Sequence, residues 1–156
     1  MGVAVVACGM RVIRATTTEE YEDALRVRFA VFVDEQGVPA DMEVDDHDDT
    51  ATHFVAYDTM TGSQDATRAV AAARLRAYEG SVGKVERVAV RASRRGNGVG
   101  ATVMDAVEDA ARERFAELYL HAQSRVAEFY ATRGYHREGE PFMEAGIEHV
   151  AMRKRL

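Results

Sequence analysis

The sequence predicts a single α/β or α+β domain in which a sheet packs against helices. The chain has 156 residues, enough for one hydrophobic core and too few for two. Strand-like segments alternate with helical segments along its length, as a layered sandwich of sheet and helices requires. No internal repeat, low-complexity tract or linker interrupts this alternation, so we expect one continuous domain.

The first half of the chain contains a capped helix between predicted strands. Thr17 followed by Glu20 forms a capping box, which predicts a helix from there to about Phe32. Arg28 falls on the apolar face of this helix. An irregular acidic segment follows. The predicted strands of this half are 11–15, 53–57, 69–78 and 85–90, with turns at 59–65 (containing Gly62) and 80–83.

The second half contains two further helices and three strands. Apolar residues at every fourth position predict a helix from about Gly98 to Phe115. A later helix is expected to begin at Ser124, a plausible N-cap, and to end at Gly134, which suits the left-handed C-terminal position. The remaining predicted strands are 118–121, 135–137 and 149–153.

Composition and charge narrow the possible functions. The formal net charge of −6 argues against general nucleic-acid binding, which needs a basic face. No apolar run approaches the roughly 20 residues that span a bilayer, so we expect no membrane partner. The single cysteine, Cys8, excludes a disulfide framework and a multi-cysteine zinc site and suits a reducing cytoplasm. Residues 1–10 are expected to be an N-terminal tail outside a domain formed by 11–156.

The most informative segment is a glycine-rich turn between a predicted strand and a predicted helix. Gly96, Gly98 and Gly100 allow backbone dihedrals that other residues avoid, and they let a ligand come close to the backbone. The free N–H groups and the dipole at the start of the helix favour a phosphate. Arg94 and Arg95 add two guanidinium groups. The turn therefore predicts a site for a phosphate or pyrophosphate.

Two other phosphate motifs fit this turn less well. A Walker loop needs lysine followed by Ser or Thr after its last glycine, whereas Gly100 is followed by Ala101 and Thr102. A dinucleotide fingerprint would place its third glycine at Ala101, which the glycine-or-alanine form of that motif permits. Its position in the second half of a short chain, without a complete βαβ half after it, counts against the fingerprint. A tight turn with its arginines in solvent is the purely structural alternative.

Two motifs resemble those of the GNAT acetyltransferase superfamily. Arg95, Gly98 and Gly100 fit the pattern R-x-x-G-x-G directly after a hydrophobic strand, which is the pyrophosphate-binding turn of that superfamily. Further along the chain, Phe129-Tyr130 followed by Gly134-Tyr135 is similar to its F-Y-x-x-x-G-F/Y segment. The similarity covers nearly the whole chain and looks like the small ElaA-like branch. The segments that carry this narrower likeness are Arg28, Phe32-Val33-x-Glu35-Gln36, the acidic loop, His53, His121-Ala122-Gln123 and Glu144-x-Gly146-Ile147-x-His149.

The resemblance implies a fold and a ligand. The fold would be a mixed, mostly antiparallel, twisted sheet with helices on both faces and one parallel strand pair that splays apart. Acetyl-CoA would place its pyrophosphate on the turn and its pantetheine arm in the gap, against the backbone of Val88 and Val90. Gln123 stands where many members have asparagine, which leaves the geometry of that contact open. The expected acetyl-CoA-binding residues are Val88, Ala89, Val90, Arg94, Arg95, Gly96, Asn97, Gly98, Val99, Gly100, Ala101 and Gln123.

Acetyl transfer to an amine needs a base for the nitrogen and an acid for the departing thiolate. The resemblance gives the role of acid to Tyr130; the alternative is an interior tyrosine with a satisfied hydroxyl. Glu86 is the leading base because it lies on the strand expected to bind acetyl-CoA, where pleating places it on the same face as Val88 and Val90. The alternative for Glu86 is an ion pair with Arg87 or another arginine.

Several other residues compete for roles in the site. Arg28, Glu35 and His53 are the expected substrate-binding residues, although Arg28 could equally cover the core with its stem and place its head in solvent or against a carboxylate. The acidic loop at 45–49 is expected to be solvated, with electrostatic steering of a cationic amine as the alternative. The bases that compete with Glu86 are Glu35, His53, His121, His149 and a chain of waters.

These features together predict an acetyl-CoA-dependent N-acetyltransferase that acts on a primary amine by direct attack. Neither a covalent acyl-enzyme nor a metal is implied. The alternative function is a non-catalytic acyl-CoA-binding regulatory module that has kept the turn and lost turnover. A homodimer is an expectation from similar proteins alone. The acceptor stays open among a polyamine, an amino sugar, an aryl amine and a protein amine.

Overall fold

A computed structural model describes residues 5–7, 9–59 and 69–156, whose strands form one eight-stranded sheet. The strands are β1 (Val5–Ala7), β2 (Met10–Arg14), β3 (Thr52–Asp58), β4 (Ala69–Glu79), β5 (Val82–Val90), β6 (Glu117–Gln123), β7 (His136–Glu144) and β8 (Ile147–Arg155). The α-helices are α1 (Thr18–Arg28), α2 (Ala40–Glu43), α3 (Val99–Ala111) and α4 (Ala127–Thr132). A π-helix spans Phe29–Glu35, and 3₁₀ turns span Asp46–Asp49, Ala92–Arg94 and Ser124–Val126.

The sheet is mixed and mostly antiparallel, which confirms the predicted fold class. Its order is β1-β2-β3-β4-β5-β6-β8-β7, and every neighbouring pair is antiparallel except β5 and β6. Because successive residues of a strand point to opposite faces, β3 contributes to two cores. Val55 packs with Val27 of α1 on one face. Phe54 packs with Val103 of α3 on the other face.

The helix predicted from Thr17 begins as expected, but its α-helical winding ends earlier. The Thr17 hydroxyl accepts a hydrogen bond from the N–H of Glu20 at 3.1 Å, and the Glu20 carboxylate accepts one from the N–H of Thr17 at 3.1 Å. The capping box is therefore formed. Beyond Arg28 the chain continues as the π-helix, not as an α-helix to Phe32. Such wider turns are frequent at functional sites, and this one reaches the cavity described below.

The parallel strands β5 and β6 separate part of the way along the sheet. Their register ends with Val85 opposite Leu120. Beyond this pair β5 continues to Val90 and β6 to Gln123 without pairing to each other. A gap therefore opens between them, as the family resemblance implied.

A β-bulge in β5 changes the expected alternation of its side chains. Glu86 pairs with Arg74 and Ala89 pairs with Ala72, so β5 has one more residue than β4 between these two pairs. Arg87 lies in this stretch and has a left-handed φ of 56°. One extra residue shifts the phase of the strand. Glu86 and Ala89 therefore share the α1 face of the sheet, whereas Val88 and Val90 pack against the α3-side core. The prediction that Glu86 shares a face with Val88 and Val90 is wrong.

The start of the chain also differs from the predicted tail. Val5–Ala7 pairs with β2, with Val5 opposite Val12, and Met10 is fully buried. These residues extend the sheet because their backbone groups complete a ladder of hydrogen bonds along β2. Residues 1–4 and Cys8 lie outside the described residues, as does the turn predicted at 59–65 apart from Thr59.

Other boundaries shift by a few residues. The helix predicted from Ser124 begins as a 3₁₀ turn, and Ser124 does not cap it, since its buried hydroxyl has no hydrogen-bond partner within the described residues. The left-handed φ of 94° at Gly134 is as expected. The predicted helix to Phe115 ends at Ala111. Within 5–7, 9–59 and 69–156, no helix is long and apolar enough to cross a membrane.

Candidate active site

The gap between β5 and β6 opens into a cavity of about 910 Å³. Its walls come from both strands, the π-helix, the glycine turn, β8 and α4. A cavity of this volume is in the range of small-molecule sites. Tyr130 and Glu86 line it together with residues of the glycine turn, whereas Arg28, Glu35 and His53 are not among the lining residues.

The glycine turn has the backbone conformation of an anion-binding loop. Gly96 and Gly98 have φ of 80° and 78°, and Gly98 is the N-cap of α3. The first N–H groups of a helix have no acceptor within the helix, and the helix dipole adds positive potential there. A Cβ at Gly100 would lie 3.4 Å from the ring of Phe129, so the turn packs closely on α4. Asn97 braces the turn by donating to the Arg95 carbonyl at 3.3 Å.

Both arginines of the turn already have carboxylate partners. Arg94 binds Asp58, and Arg95 lies 2.8 Å from the carboxylate of Glu35. Arg95 and Arg94 both line the cavity, so each could contact an anion by exchanging its partner. Glu35 therefore lies beside the glycine turn and outside the cavity wall, and its position does not support the expected contact with the substrate.

The edge of β5 that faces β6 has no strand partner beyond Val85. An interior strand has two hydrogen-bonding edges, and here one of them faces the cavity over about the last five residues of β5. The carbonyl of Val90 accepts a hydrogen bond from Arg95 Nε at 2.9 Å. The remaining backbone groups along this edge can pair with amides of an extended ligand.

Tyr130 presents an unpaired phenol to the cavity. Its ring packs edge-on against Phe129 and Tyr135, with centroids 5.0 Å and 5.7 Å apart. Burial raises the pKa of Tyr130, although the charge of Arg133 acts in the opposite direction. Among the described residues the Tyr130 hydroxyl has no hydrogen-bond partner, whereas the Tyr135 hydroxyl donates to Glu108 at 3.0 Å. Tyr130 is therefore protonated at neutral pH and free to donate.

Glu86 lines the cavity wall but is bound by three cations. Arg74 Nε and Nη2 lie 3.0 Å and 2.5 Å from its Oε2, two nitrogens of Arg76 lie 3.1 Å away, and Lys84 Nζ lies 3.3 Å away. Burial alone would raise the pKa of Glu86, but the hydrogen bonds from Arg76 and the charge of Arg74 lower it to about 2. Such a carboxylate has little affinity for a proton. The alternative for Glu86, an ion pair with an arginine, is therefore present. Its partners are Arg74 and Arg76, not Arg87.

Arg28 and His53 lie beneath the site in a buried polar cluster. Arg28 is 1% exposed, with Nε 2.9 Å from Glu43 and Nη1 2.7 Å from Asp48. His53 Nε2 donates to the Asp48 carbonyl at 2.9 Å, and burial lowers the pKa of His53. Their partners are protein groups, so their positions do not support the expected substrate contacts. Asp48 is also buried and pairs with Arg28 and Arg74. The acidic loop is therefore not entirely solvated, which corrects the expectation from the sequence.

Gln123 connects the two sides of the cavity. Its Nε2 donates to Gln36 Oε1 at 2.8 Å, and its Oε1 accepts from Arg125 Nε at 3.1 Å. Sequence reasoning did not assign Gln36 or Arg74 to the site. The sequence feature that could have pointed to a buried Arg74 is its position after a run of alanines in β4. A buried arginine requires carboxylate partners.

A pair of histidines flanks a glutamate on the cavity wall formed by β6, β7 and β8. His121 Nδ1 lies 3.0 Å from Glu144 Oε1, and its Nε2 lies 3.0 Å from the Tyr119 hydroxyl. The hydrogen bond from His121 lowers the pKa of Glu144, against the opposing effect of burial. His149 Nε2 lies 3.6 Å from the other oxygen of Glu144. Glu144 was not assigned a role from the sequence, although the segment that contains it carried the family likeness.

The fold and this cavity agree with the family comparison. Residues 16–156 match the family model described as acetyltransferase (GNAT) domain. The protein is an acetyltransferase. It belongs to the GNAT family.

Known relatives extend over nearly the whole chain. The uncharacterized N-acetyltransferase YjcF of Bacillus subtilis is 39% identical over 147 residues, which are 93% of this chain and 99% of that protein. A Lactobacillus plantarum crystal structure, described provisionally as an N-acetyltransferase, has a TM-score of 0.84 at 30% identity and covers 95% of this chain and 99% of its own. Escherichia coli ElaA has a TM-score of 0.79 at 24% identity, with 99% and 100% covered. ElaA is therefore among the structural neighbours, as the narrower resemblance implied, and the likeness to it is one of fold.

Proposed function

We propose that this acetyltransferase transfers the acetyl group of acetyl-CoA to a primary amine by direct attack of the nitrogen on the thioester carbon. The observation that carries this proposal is the unpaired edge of β5, which joins the glycine turn to Tyr130 within one cavity. Acetyl-CoA is the acyl donor used by the GNAT family.

The turn and the edge suit the two polar parts of acetyl-CoA. With left-handed Gly96 and Gly98 in the turn, the first N–H groups of α3 would be available to an anion. A pyrophosphate there would place the pantetheine amides along the free edge of β5, where Val88 and Val90 offer backbone partners. Arg95 would exchange Glu35 for a phosphate oxygen, an exchange of one charge-assisted bond for another.

Tyr130 suits the protonation of the leaving group. As the amine nitrogen bonds to the carbonyl carbon, the C–S bond breaks and its electron pair stays on sulfur. Tyr130 would donate its proton to that sulfur, and a positioned acid of this kind typically contributes about 10²–10⁴-fold. Unpaired N–H groups of β5 would polarise the thioester carbonyl.

Direct attack is favoured by the residues that line the cavity. Among the described residues of its wall there is no Ser, Thr or Cys side chain. The only cysteine in the sequence, Cys8, lies outside the described residues and far along the chain from the turn. A covalent acyl-enzyme on a Ser, Thr or Cys side chain would need a residue that the described wall does not offer.

Calorimetric titration tests the acetyl-CoA site first. We expect micromolar affinity, roughly −8 kcal/mol, for acetyl-CoA and coenzyme A and none for NAD or ATP. Thiol release is then measured with spermidine, glucosamine, aniline and a peptide carrying an N-terminal amine and a lysine. Absence of acetyl-CoA binding by folded, ligand-free protein would overturn the proposal. Binding without thiol release for any amine would favour the regulatory module.

A further inference from the structure

We propose that His149 is the group that accepts the proton of the attacking amine and that Glu144 stabilises the resulting imidazolium. This inference rests on the proposed amine acetylation and names the base for it. It starts from the hydrogen bonds of the histidine ring, which decide where its lone pair lies.

The tautomer of His149 is fixed by its own strand. Nδ1 lies 2.7 Å from the carbonyl oxygen of Ile147. A carbonyl can only accept a hydrogen bond, so Nδ1 carries the proton and the lone pair of the neutral ring is on Nε2. Nε2 lies 3.6 Å from Glu144 Oε2, which is beyond hydrogen-bond distance and close enough to stabilise a positive charge. The ring is therefore oriented as a base would need to be.

His149 lines the cavity that opens where β5 and β6 separate. It pairs with Gln123 at the end of β6, where β6 has already separated from β5. Successive residues of a strand point to opposite faces of the sheet. Ala122 belongs to the α3-side core, so Gln123 and its partner His149 lie on the opposite face. His149 lines the cavity from that face. Tyr130 belongs to the α3-side core. The proton acceptor and the proton donor would thus act from opposite faces.

Packing holds the ring of His149 in place. Phe142 on β7 stacks on it, with centroids 6.1 Å apart and planes inclined by 21°. His121 packs edge-on against the same Phe142 ring, with centroids 4.8 Å apart. His149 itself is 8% exposed, and its exposed part faces the cavity it lines. A ring confined in this way loses little conformational freedom when it takes a proton.

Other titratable groups in the cavity are less suited to the role. Glu86 is neutralised by its arginines and has a pKa of about 2. His121 has both ring nitrogens engaged, Nδ1 with Glu144 and Nε2 with the Tyr119 hydroxyl. His47 is exposed at the cavity rim, where nothing fixes its tautomer among the described contacts.

Charged and titratable side chains from three elements surround His149. Glu144 faces it from β7 and His121 from β6, while Arg125 of the neighbouring 3₁₀ turn is held by Gln123. In the reaction the proton leaves the amine nitrogen for Nε2 as the N–C bond forms, and the thiolate takes the proton of Tyr130. His149 then loses its proton to solvent, and Tyr130 regains one, so the protons balance.

Kinetics of His149→Gln test the assignment. With the panel amine that gives the highest rate, we expect kcat to fall by at least about 100-fold while the acetyl-CoA Kd stays within about twofold. The step that an enzyme base adds to the acidic limb of the kcat pH profile should disappear. The control is His136→Gln, which removes an exposed histidine of β7 outside the cavity wall and should leave kcat and the acidic limb unchanged. Unchanged turnover in His149→Gln, or loss of the limb in His47→Gln instead, would overturn the assignment.

The tautomer is tested separately from turnover. Long-range ¹⁵N–¹H correlation spectra of the wild-type protein with the neutral ring, assigned by comparison with His149→Gln, should show a proton on Nδ1. A neutral ring protonated at Nε2 contradicts the structural basis of the inference whatever the kinetics. If wild-type protein acetylates no amine, the proposed function fails and the role of His149 with it. If wild-type protein acetylates an amine and His149→Gln does so equally well, this inference alone fails.

Discussion

Arg74 and Glu86 form an ion pair between β4 and β5, with 2.5 Å between Nη2 and Oε2. The same guanidinium lies 2.6 Å from Asp45 and 3.1 Å from Asp48 of the acidic loop. Arg74 is 1% exposed, so all three carboxylates meet a cation that has been removed from water. This arrangement ties the bulged part of β5 to the loop that covers the α1 side of the cavity. This arrangement indicates that Glu86 stays ionised and stabilises the fold by pairing with Arg74.

Glu86→Gln should therefore lower stability and leave the pH dependence of the rate in place. A pKa of about 2, against an ordinary value of 4.5, corresponds to a loss of about 3 kcal/mol in the free energy of unfolding at pH 7. Because the pKa is lower in the folded state, this stabilisation is present above about pH 4.5 and is lost as the pH falls through about 2. Urea unfolding of both proteins at pH 7 and at pH 3 measures it, and the difference should shrink at pH 3.

The control for Glu86→Gln is Glu113→Gln. Glu113 pairs with Arg14 at 2.9 Å on the surface, where its side chain is 59% exposed. Exposed pairs contribute about 0–1 kcal/mol, so this variant should unfold nearly as the wild type does. Equal losses in both variants, or removal of the acidic limb of the rate profile by Glu86→Gln, would contradict the structural role.

Tyr130→Phe should lower kcat by about 10²–10⁴-fold and leave acetyl-CoA affinity within about twofold. The hydroxyl has no partner among the described residues, so its removal breaks no hydrogen bond within that part of the chain. Tyr135→Phe is the matched control, because it removes a hydrogen bond to Glu108 of 3.0 Å. That variant should lose about 1 kcal/mol of stability and keep its kcat. Stopped thiol-release assays and thermal unfolding of both variants make the comparison. Full turnover in Tyr130→Phe would remove the acid role.

Local signals in the sequence predicted several features of this molecule. The capping box of Thr17 and Glu20 and the left-handed Gly98 depend on residues close together in the chain, and both are present. The bulge at Arg87 was not predictable in this way. Left-handed φ is uncommon for residues other than glycine. Here it falls in the bulge, where the Arg87 side chain binds Glu43 and Asp45, residues distant in the chain.

Long-range polar pairing was the main part that the sequence left undetermined. Arg28 and Asp48 are 20 residues apart in the chain, and Gln36 and Gln123 are 87 apart. Nothing in the local pattern indicates which carboxylate an arginine will meet when several acidic residues are available. A continuous motif such as the glycine turn can be read from the sequence, whereas contacts between different elements cannot. The hydrogen bond of His53 to the Asp48 carbonyl is a contact of the second kind.

Arg28→Met should destabilise the protein and leave the acceptor KM unchanged. Arg28 is 1% exposed and pairs with Glu43 and Asp48, and removal of one member of a buried ion pair typically costs about 3–5 kcal/mol. Arg112→Met is the control, because Arg112 pairs with Asp109 at 2.8 Å and the two side chains are 49% and 64% exposed. Urea unfolding and steady-state kinetics separate the effects. A stable Arg28→Met protein with a raised acceptor KM would instead support substrate binding by Arg28.

Gly98→Ala and Gly80→Ala separate ligand binding from backbone strain. Gly98 and Gly80 have φ of 78° and 52°, and neither has an atom within 4 Å of where a Cβ would stand. Alanine in the left-handed region costs about 1–2 kcal/mol at either position, so the two variants should lose similar stability in urea unfolding. Relaxation of that strain at Gly98 would turn the first N–H groups of α3 away from the anion position, whereas Gly80 lies in the turn between β4 and β5. We expect acetyl-CoA affinity, measured by calorimetry, to fall by about tenfold or more in Gly98→Ala alone. Equal affinity in the two variants would mean that the turn does not hold the pyrophosphate.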